Sequence, residues 1–319
     1  MRGETPKEIL AYWGYRSLER AAMSLPEQVG KSVFGGLGRA AHRWLPNLRA
    51  TVAANQAQVL GADPDDERVA LATREAFELY ARYWFDTFRI RTMPNHEFND
   101  RITVIGREHV DRALDAGRGV ICVLPHLGNW DAGGHWFGLN GYRIVVVAEE
   151  LRPRRLYELF IHHRERLGMR VIGLEKDAHV GQRLKQLLAQ NWMVALVADR
   201  DLSGRGIEVE MFGARRRVPA GPALLSITSK APILPVTTAT LDHGWQVRFE
   251  TPLEIERTGE LRADVTEFSR LMAERFERAI AARPTDWHMF QPGWDDPGAS
   301  TAPEAVAGSS AKATTAAQR

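Results

Sequence analysis

Apolar residues follow two different patterns along the chain. Up to about residue 90 they recur at helical spacing. Ile9, Leu10, Trp13, Leu18, Ala21 and Ala22 form one such stripe, with Arg16, Glu19 and Arg20 between them. Pro26 permits a new helix near Glu27, because a first-turn proline gives up no helical hydrogen bond. Gly35, Gly36 and Gly38 are expected to interrupt that segment. A third helix is predicted through Leu48, Val52, Asn55 and Val59. Asp63-Pro64 opens a fourth through Val69, Phe77, Tyr80 and Trp84, and Pro94 ends it.

Further along, the pattern changes to short continuous apolar runs. Residues 120–124, 144–148, 193–198 and 233–236 are each bounded by Gly, Pro or Asn, and suit strands buried on both faces. Helical stretches lie between them, at about 130–139, 153–168, 178–190 and 219–230. Residues 247–249 add a strand, and 264–282 read as a long amphipathic helix. This alternation predicts an α/β fold. A single domain would hold a central, mixed, largely buried sheet, covered by helices on both faces and preceded by amphipathic helices. Residues 1–60 would be the basic helices of that domain and 61–295 its core. Residues 296–319, rich in Ala, Ser, Thr and Gly without periodicity, are expected to be a disordered tail. The chain shows no internal repeats.

Composition narrows the class. With 319 residues and 44% hydrophobic content, the chain can bury a sizeable core. Its 42 basic and 40 acidic residues leave a net charge of +2, which argues against a nucleic-acid binder. The charge is uneven, for residues 1–60 carry eight Lys/Arg against four Glu. A basic, aromatic-containing start suits an anionic membrane surface; the plainer reading is a solvated helix face. The lone cysteine, Cys122, excludes an internal disulfide and a cysteine-based metal site, and fits a reducing cytoplasmic compartment. Set in an apolar run, it reads as a buried strand residue rather than a nucleophile. No run approaches the ~18 apolar residues of a spanning helix. Glu4 and Glu8 precede any apolar stretch, unlike a secretory signal.

The strongest local chemistry is Pro125-His126-Leu127-Gly128-Asn129-Trp130-Asp131, directly after the strand at 120–124. Ligands of α/β sheets bind beyond the carboxyl ends of strands, where His126 stands. Gly128 permits a tight turn by which Asp131 would fold back onto the imidazole. A carboxylate on one ring nitrogen fixes the tautomer, and the other nitrogen can then take a proton from a hydroxyl. The competing reading is a capping Asp beside a surface His. Gly36-x-Gly38-x2-Ala41 loosely matches a dinucleotide fingerprint, but no strand precedes it, and Asn55 and Gln56 stand where an acid is wanted. There is no Gly-x-Ser-x-Gly elbow, and His162-His163 lack the spacing of a zinc helix.

Several ordered blocks extend this signal. His126-x4-Asp131, Arg164-Glu165-Arg166-Leu167-Gly168, Val209-Glu210-Met211-Phe212-Gly213 with Arg217-Val218-Pro219-Ala220-Gly221-Pro222-Ala223, and Ala231-Pro232-Ile233-Leu234-Pro235-Val236 resemble the blocks of the glycerolipid and lipid A acyltransferases. The nearest resemblance is to the actinobacterial phosphatidylinositol mannoside acyltransferases. It rests on Val147-Ala148-Glu149, Ala198-Asp199-Arg200-Asp201-Leu202 and Asp286-Trp287-His288-Met289-Phe290-Gln291-Pro292, and covers about residues 10–295.

This resemblance implies a general base, His126, oriented by Asp131. Asp199 would be a further acid near the His, where the nearest relatives carry Glu. Glu149, Arg164 and Arg200 would line the substrate cleft, and His288 would lie near the acceptor. Each has a structural alternative: Arg164 paired with Glu149 or Asp199, Asp199 capping a turn, His288 in the core. Arg215-Arg216-Arg217 reads either as a phosphate site, for coenzyme A or a phosphoinositide, or as a solvated loop. Trp130, Trp136 and Phe137 read as an acyl groove or as core.

A thioester is already activated, so the implied reaction calls for no cofactor, metal or protein nucleophile, although its oxyanion needs donors. Acyl-CoA would be the co-substrate, giving a palmitoyl chain to a mannose hydroxyl of a phosphatidylinositol mannoside. A monomer would dock peripherally on the cytoplasmic face of the plasma membrane. The alternatives are another lipid acceptor, such as lysophosphatidic acid or a lipid A-like sugar, and a non-catalytic lipid-binding protein.

Overall fold

The computed structural model describes residues 4–174 and 179–295; the tail expected over 296–319 lies outside the described residues. The chain opens with α1 (Pro6–Ser24), α2 (Glu27–Trp44), α3 (Pro46–Leu60) and α4 (Glu67–Ile90), followed by the short α5 (Asn95–Arg101). Thr5 and Glu8 form a capping box that starts α1. The first three helices pack on α4, burying Ala22 and Phe34 against Phe85 and Phe88.

Gly35, Gly36 and Gly38 do not interrupt α2, which runs through them. Two glycines of this helix, Gly30 and Gly38, mark close approach instead. A Cβ on Gly38 would stand 2.6 Å from the Phe77 carbonyl oxygen, and one on Gly30 would stand 2.3 Å from the Phe85 ring. Two helix backbones can approach this closely only where one carries no side chain, and that packing outweighs the ~1 kcal/mol helical cost of glycine.

Beyond α5 come β1 (Ile102–Ile105), α6 (Arg107–Asp115), β2 (Val120–Leu124), α7 (Trp130–Leu139), β3 (Ile144–Glu149), α8 (Arg154–Arg166), β4 (Arg170–Leu174), α9 (Val180–Ala189) and β5 (Met193–Val197). The hairpin β6 (Ile207–Met211)–β7 (Ala214–Val218), α10 (Gly221–Ser229), β8 (Ile233–Leu241), β9 (Gly244–Phe249), α11 (Leu261–Ala282) and a 3₁₀ turn, Pro284–Asp286, complete it. Seven strands form one sheet in the order β1-β9-β8-β2-β5-β3-β4, parallel throughout except between β8 and β9. It is the mixed, helix-covered sheet expected from the alternation.

Alternate residues of each inner strand feed opposite core layers. Cys122, Leu124 and Met193 pack with Ala132 and Phe137 of α7. Ile121, Val123 and Val194 pack with α9, α10 and α11 through Leu184, Leu225 and Phe276. Cys122 is the buried strand residue its context indicated, and burial pushes its thiol pKa up. Among the described residues no helix is long and apolar enough to cross a membrane.

Candidate active site

Three parallel strands end side by side, and their register builds the site. Leu124 of β2 lies opposite Val197 of β5. His126 and Asp199 each stand two residues further on, so they emerge as neighbours. His126 Nδ1 is 2.5 Å from Asp199 Oδ1. The other carboxylate oxygen accepts from the His126 backbone N–H at 3.1 Å and from Trp287 Nε1 at 2.9 Å.

Arg216 braces the same residue. Its Nε donates to the Asp199 carbonyl at 2.7 Å and its Nη1 to the Gly293 carbonyl at 2.7 Å. Its guanidinium lies over the rings of Trp287 and Trp294, at 5.2 and 5.4 Å from their centroids. Asp199 is fully buried. Burial alone would raise its carboxyl pKa, but His126, Arg216 and Trp287 together hold it well below the usual carboxylate range. An ionised Asp199 accepts from a protonated Nδ1. Nε2, which has no hydrogen-bond partner among the described residues, is then the basic nitrogen facing the cavity.

Asp131 does not fold back onto the imidazole. Its oxygens are taken by Arg164 Nε at 2.8 Å and by the Tyr83 hydroxyl at 2.8 Å. The cause is local. Asn129 caps α7 by accepting from the Ala132 N–H, so residues 130 and 131 already lie in its first turn. Successive helical side chains point about 100° apart. Trp130 therefore stands edge-on to His126, at 5.5 Å between centroids, while Asp131 points toward α8 and α4. Burial pushes the Asp131 pKa up, and Arg164 more than reverses this. Arg164 thus pairs with neither Glu149 nor Asp199. Tyr83 went unnoticed in the sequence because helical aromatics far from a motif look like core.

His288 takes the core position that was its structural alternative. It is buried, lies outside the cavity lining and fastens the His126 loop. Its backbone N–H donates to the His126 carbonyl at 2.7 Å, and its Nε2 faces the Gly128 carbonyl at 3.1 Å. Burial lowers its pKa to about 3, the Gly128 carbonyl offsetting only part of this, so the ring is neutral and Nε2–H is the donor. Gly128 itself is required. Its φ is +57°, and a Cβ there would stand 2.6 Å from the Thr238 carbonyl.

Glu149 and Arg200 both line the cavity, where they pair at 2.9 Å, and Arg200 also bonds the Gln291 amide oxygen. The run Arg215–Arg217 does not present its three guanidinium groups as one patch. It forms β7, whose alternation buries Arg216 and leaves Arg215 and Arg217 facing Glu208 and Asp295.

The cavity measures about 670 Å³, and His126 is part of its lining. Its walls are largely apolar and reach between the sheet and α7. Trp130 and Phe137 line it, whereas Trp136 packs outside, under Arg107 and against Tyr142. Among the described residues no group of three or more His, Cys, Asp or Glu side chains is arranged to hold a metal ion.

Comparison with known proteins agrees with this architecture. Residues 3–296 match the bacterial lipid A biosynthesis acyltransferase family. Over 288 residues the chain is 38% identical to a protein named phosphatidylinositol mannoside acyltransferase from Mycolicibacterium smegmatis, covering 88% of this chain and 90% of that one. A protein of the same name from Mycobacterium tuberculosis (strain CDC 1551 / Oshkosh) is 36% identical over 291 residues, covering 88% of each. Since the family match spans every residue described above, the protein belongs to the bacterial lipid A biosynthesis acyltransferases and is an acyltransferase enzyme.

Proposed function

We propose that the protein transfers a palmitoyl group from acyl-CoA to a mannose hydroxyl of a phosphatidylinositol mannoside. The observation that carries this reading is the His126–Asp199 pair, with His126 lining a largely apolar cavity. The acceptor follows from the names of the relatives at 38% and 36% identity.

In this reading Asp199 holds the proton on Nδ1, and Nε2 takes the proton of the acceptor hydroxyl. The hydroxyl oxygen attacks the thioester carbonyl carbon. The tetrahedral oxyanion collapses and the C–S bond breaks. The imidazolium then returns its proton to the thiolate, releasing coenzyme A as a free thiol. The acyl chain occupies the apolar limb, where each buried methylene contributes about 0.8 kcal/mol. Glu149, Arg164 and Arg200 are among the polar residues of the lining and suit a sugar headgroup. No cofactor enters this scheme. Every residue in it comes from one chain, which suits a monomer. A protein given palmitoyl-CoA and mannosylated phosphatidylinositol should yield, by mass spectrometry, the acceptor carrying one added palmitoyl group. Transfer to lysophosphatidic acid alone, or thiol release with no acylated lipid, would overturn the reading.

Peripheral docking on the cytoplasmic leaflet belongs to the same proposal. Leu10 and Trp13 of α1 are 74% and 50% exposed, beside the basic residues of the N-terminal helices. Deleting those helices would also strip Ala22 and Phe34 from the core, so point substitutions are the cleaner probe. Leu10→Glu/Trp13→Glu is expected to weaken co-sedimentation with anionic vesicles by roughly tenfold or more without changing the melting temperature. Undiminished sedimentation would exclude α1 as the docking surface.

A further inference from the structure

A second cavity, a groove, lies at the other end of the sheet. Pro232 directly precedes β8 and Arg118 stands two residues before β2, so the groove sits at the amino ends of these strands. His126 follows the carboxyl end of β2. The length of that strand, roughly 17 Å at ~3.3 Å per residue, separates the two. The groove shares no lining residue with the cavity at His126. It measures about 840 Å³, the size of a small-molecule site.

Its floor is apolar, made by Ala113, Pro232, Pro252, Leu253 and Leu271. Its rim is cationic. Arg112 comes from α6, Arg118 from the loop before β2 and Arg275 from α11, against one carboxylate of the lining, Glu254. Arg112 and Arg118 are exposed and have no carboxylate partner among the described residues. Arg275 gives Nη1 to Glu250 at 3.0 Å, while its Nε is buried with no hydrogen-bond partner among the described residues. Elsewhere on α11 the charges are matched, for Arg270 and Arg278 both pair with glutamates. Arg112 Nη2 also meets His109 Nδ1 at 3.0 Å. A guanidinium only donates, so Nδ1 accepts and the ring proton sits on Nε2, a further donor among the lining residues.

The loop that carries Arg118 is fixed in advance. The Gly117 N–H donates to the Leu114 carbonyl at 2.8 Å, which closes α6. The Asn191 amide ties both sides of the loop. Its oxygen accepts from the Gly119 N–H at 3.0 Å, and its nitrogen donates to the Leu114 carbonyl at 2.9 Å. Gly119 has a φ of +67°, and a Cβ there would stand 2.7 Å from the Trp192 carbonyl oxygen. A cation on a preset backbone loses less freedom on meeting a ligand.

We propose that this groove binds a soluble organic phosphate, a ligand with an apolar body and one or two phosphate groups. Guanidinium forks match phosphate oxygens in charge and shape. The apolar floor takes the body, which inorganic phosphate would leave uncovered. The choice of a soluble ligand rests on the proposed function, in which lipid substrates reach His126 at the opposite end of the sheet.

Titration calorimetry of the full chain with phenyl phosphate tests this. Its affinity should exceed that of inorganic phosphate by about tenfold, the gain from burying the ring. Arg112→Gln/Arg118→Gln should raise its dissociation constant by about tenfold or more, each lost guanidinium removing a charge-assisted contact. Neither residue lines the cavity at His126, so thiol release from palmitoyl-CoA should stay at the wild-type rate. Arg270→Gln/Arg278→Gln removes the same charge from α11 outside the groove and should leave the dissociation constant unchanged. If the groove pair fails to fold, Arg118→Gln alone carries the test. Undiminished binding in the folded groove variant, an equal loss in the α11 variant, or no binding by the wild type would overturn the site. Preferential binding to phosphatidylglycerol vesicles, lost in the groove variant, would overturn the soluble ligand. A wild-type chain that releases no thiol would end the functional reading, while calorimetry still decides the groove.

Discussion

Replacing His126 with Ala is expected to slow acyl transfer by about 10²–10⁴-fold while leaving the fold intact, the amount that general-base assistance contributes. The ring forms part of the cavity wall, and a quarter of its side-chain surface is exposed, so its loss opens no core. Asp199→Asn should follow it most of the way, for a different reason. Asp199 accepts from the imidazole, from a backbone N–H and from Trp287. An Asn has one acceptor oxygen. If that oxygen serves the N–H and the indole, its amide N–H₂ faces Nδ1 and drives the ring proton to Nε2. The nitrogen meant to receive the hydroxyl proton is then already occupied. Thiol release from palmitoyl-CoA in the presence of acceptor measures both variants, and circular dichroism confirms folding. Wild-type turnover in a folded His126→Ala protein would refute the mechanism.

Asp131→Ala is expected to act mainly on stability, by about 3 kcal/mol, the lower end of the cost of stranding a buried charge. Arg164 would be left without its carboxylate, and the Tyr83 hydroxyl without its acceptor. The Arg164 side chain keeps 22% of its surface exposed, which is why the lower end applies. Adding Arg164→Met removes the stranded charge and should restore much of the lost melting temperature. Thermal unfolding of the single and double variants checks this. An Asp131→Ala protein that melted normally, yet lost turnover as fully as His126→Ala, would show that the carboxylate acts on the imidazole after all.

The contrast between these two aspartates shows where the sequence could and could not be read. Strand β2 was legible as an unbroken apolar run, and so was the placement of His126 at its end. The partner of His126 was not. Asp131 is five residues away along the chain, but helical geometry turns it aside. Asp199 is 73 residues away, and only the β2–β5 register brings it near. Pairing across a sheet leaves no trace in local spacing. The resemblance to lipid acyltransferases did mark Asp199 as a further acid near the His, while giving the orienting role to Asp131.

Other gaps have similar causes. Strand β4 has exposed residues at both ends and lacks the apolar run of an inner strand. The β6–β7 hairpin alternates with period two, so Arg216 is buried between an exposed Arg215 and a half-buried Arg217, and the three arginines do not form one patch. Its turn, Phe212 and Gly213, has positive φ at both residues, a geometry that suits a two-residue hairpin but that phenylalanine rarely signals. In α2, glycine reads the same whether it breaks a helix or admits a neighbouring one.

The bracing of Asp199 by Trp287 bears on when, during synthesis, the enzyme becomes active. By residue 282 every strand and helix around the cavity has been made. The groups that complete the acid–base pair come later: the Trp287 indole, the His288 amide on the His126 carbonyl, and the Gly293 carbonyl that anchors Arg216. These contacts join residues 77 to 162 positions apart, so their closure comes after the local helices and hairpins. A ribosome-bound chain ending near Ala282 would carry a finished sheet and its apolar cavity, yet hold the Asp199 carboxylate loosely. On the proposed mechanism, competence would then arrive only once residues 283–293 have been added to the chain.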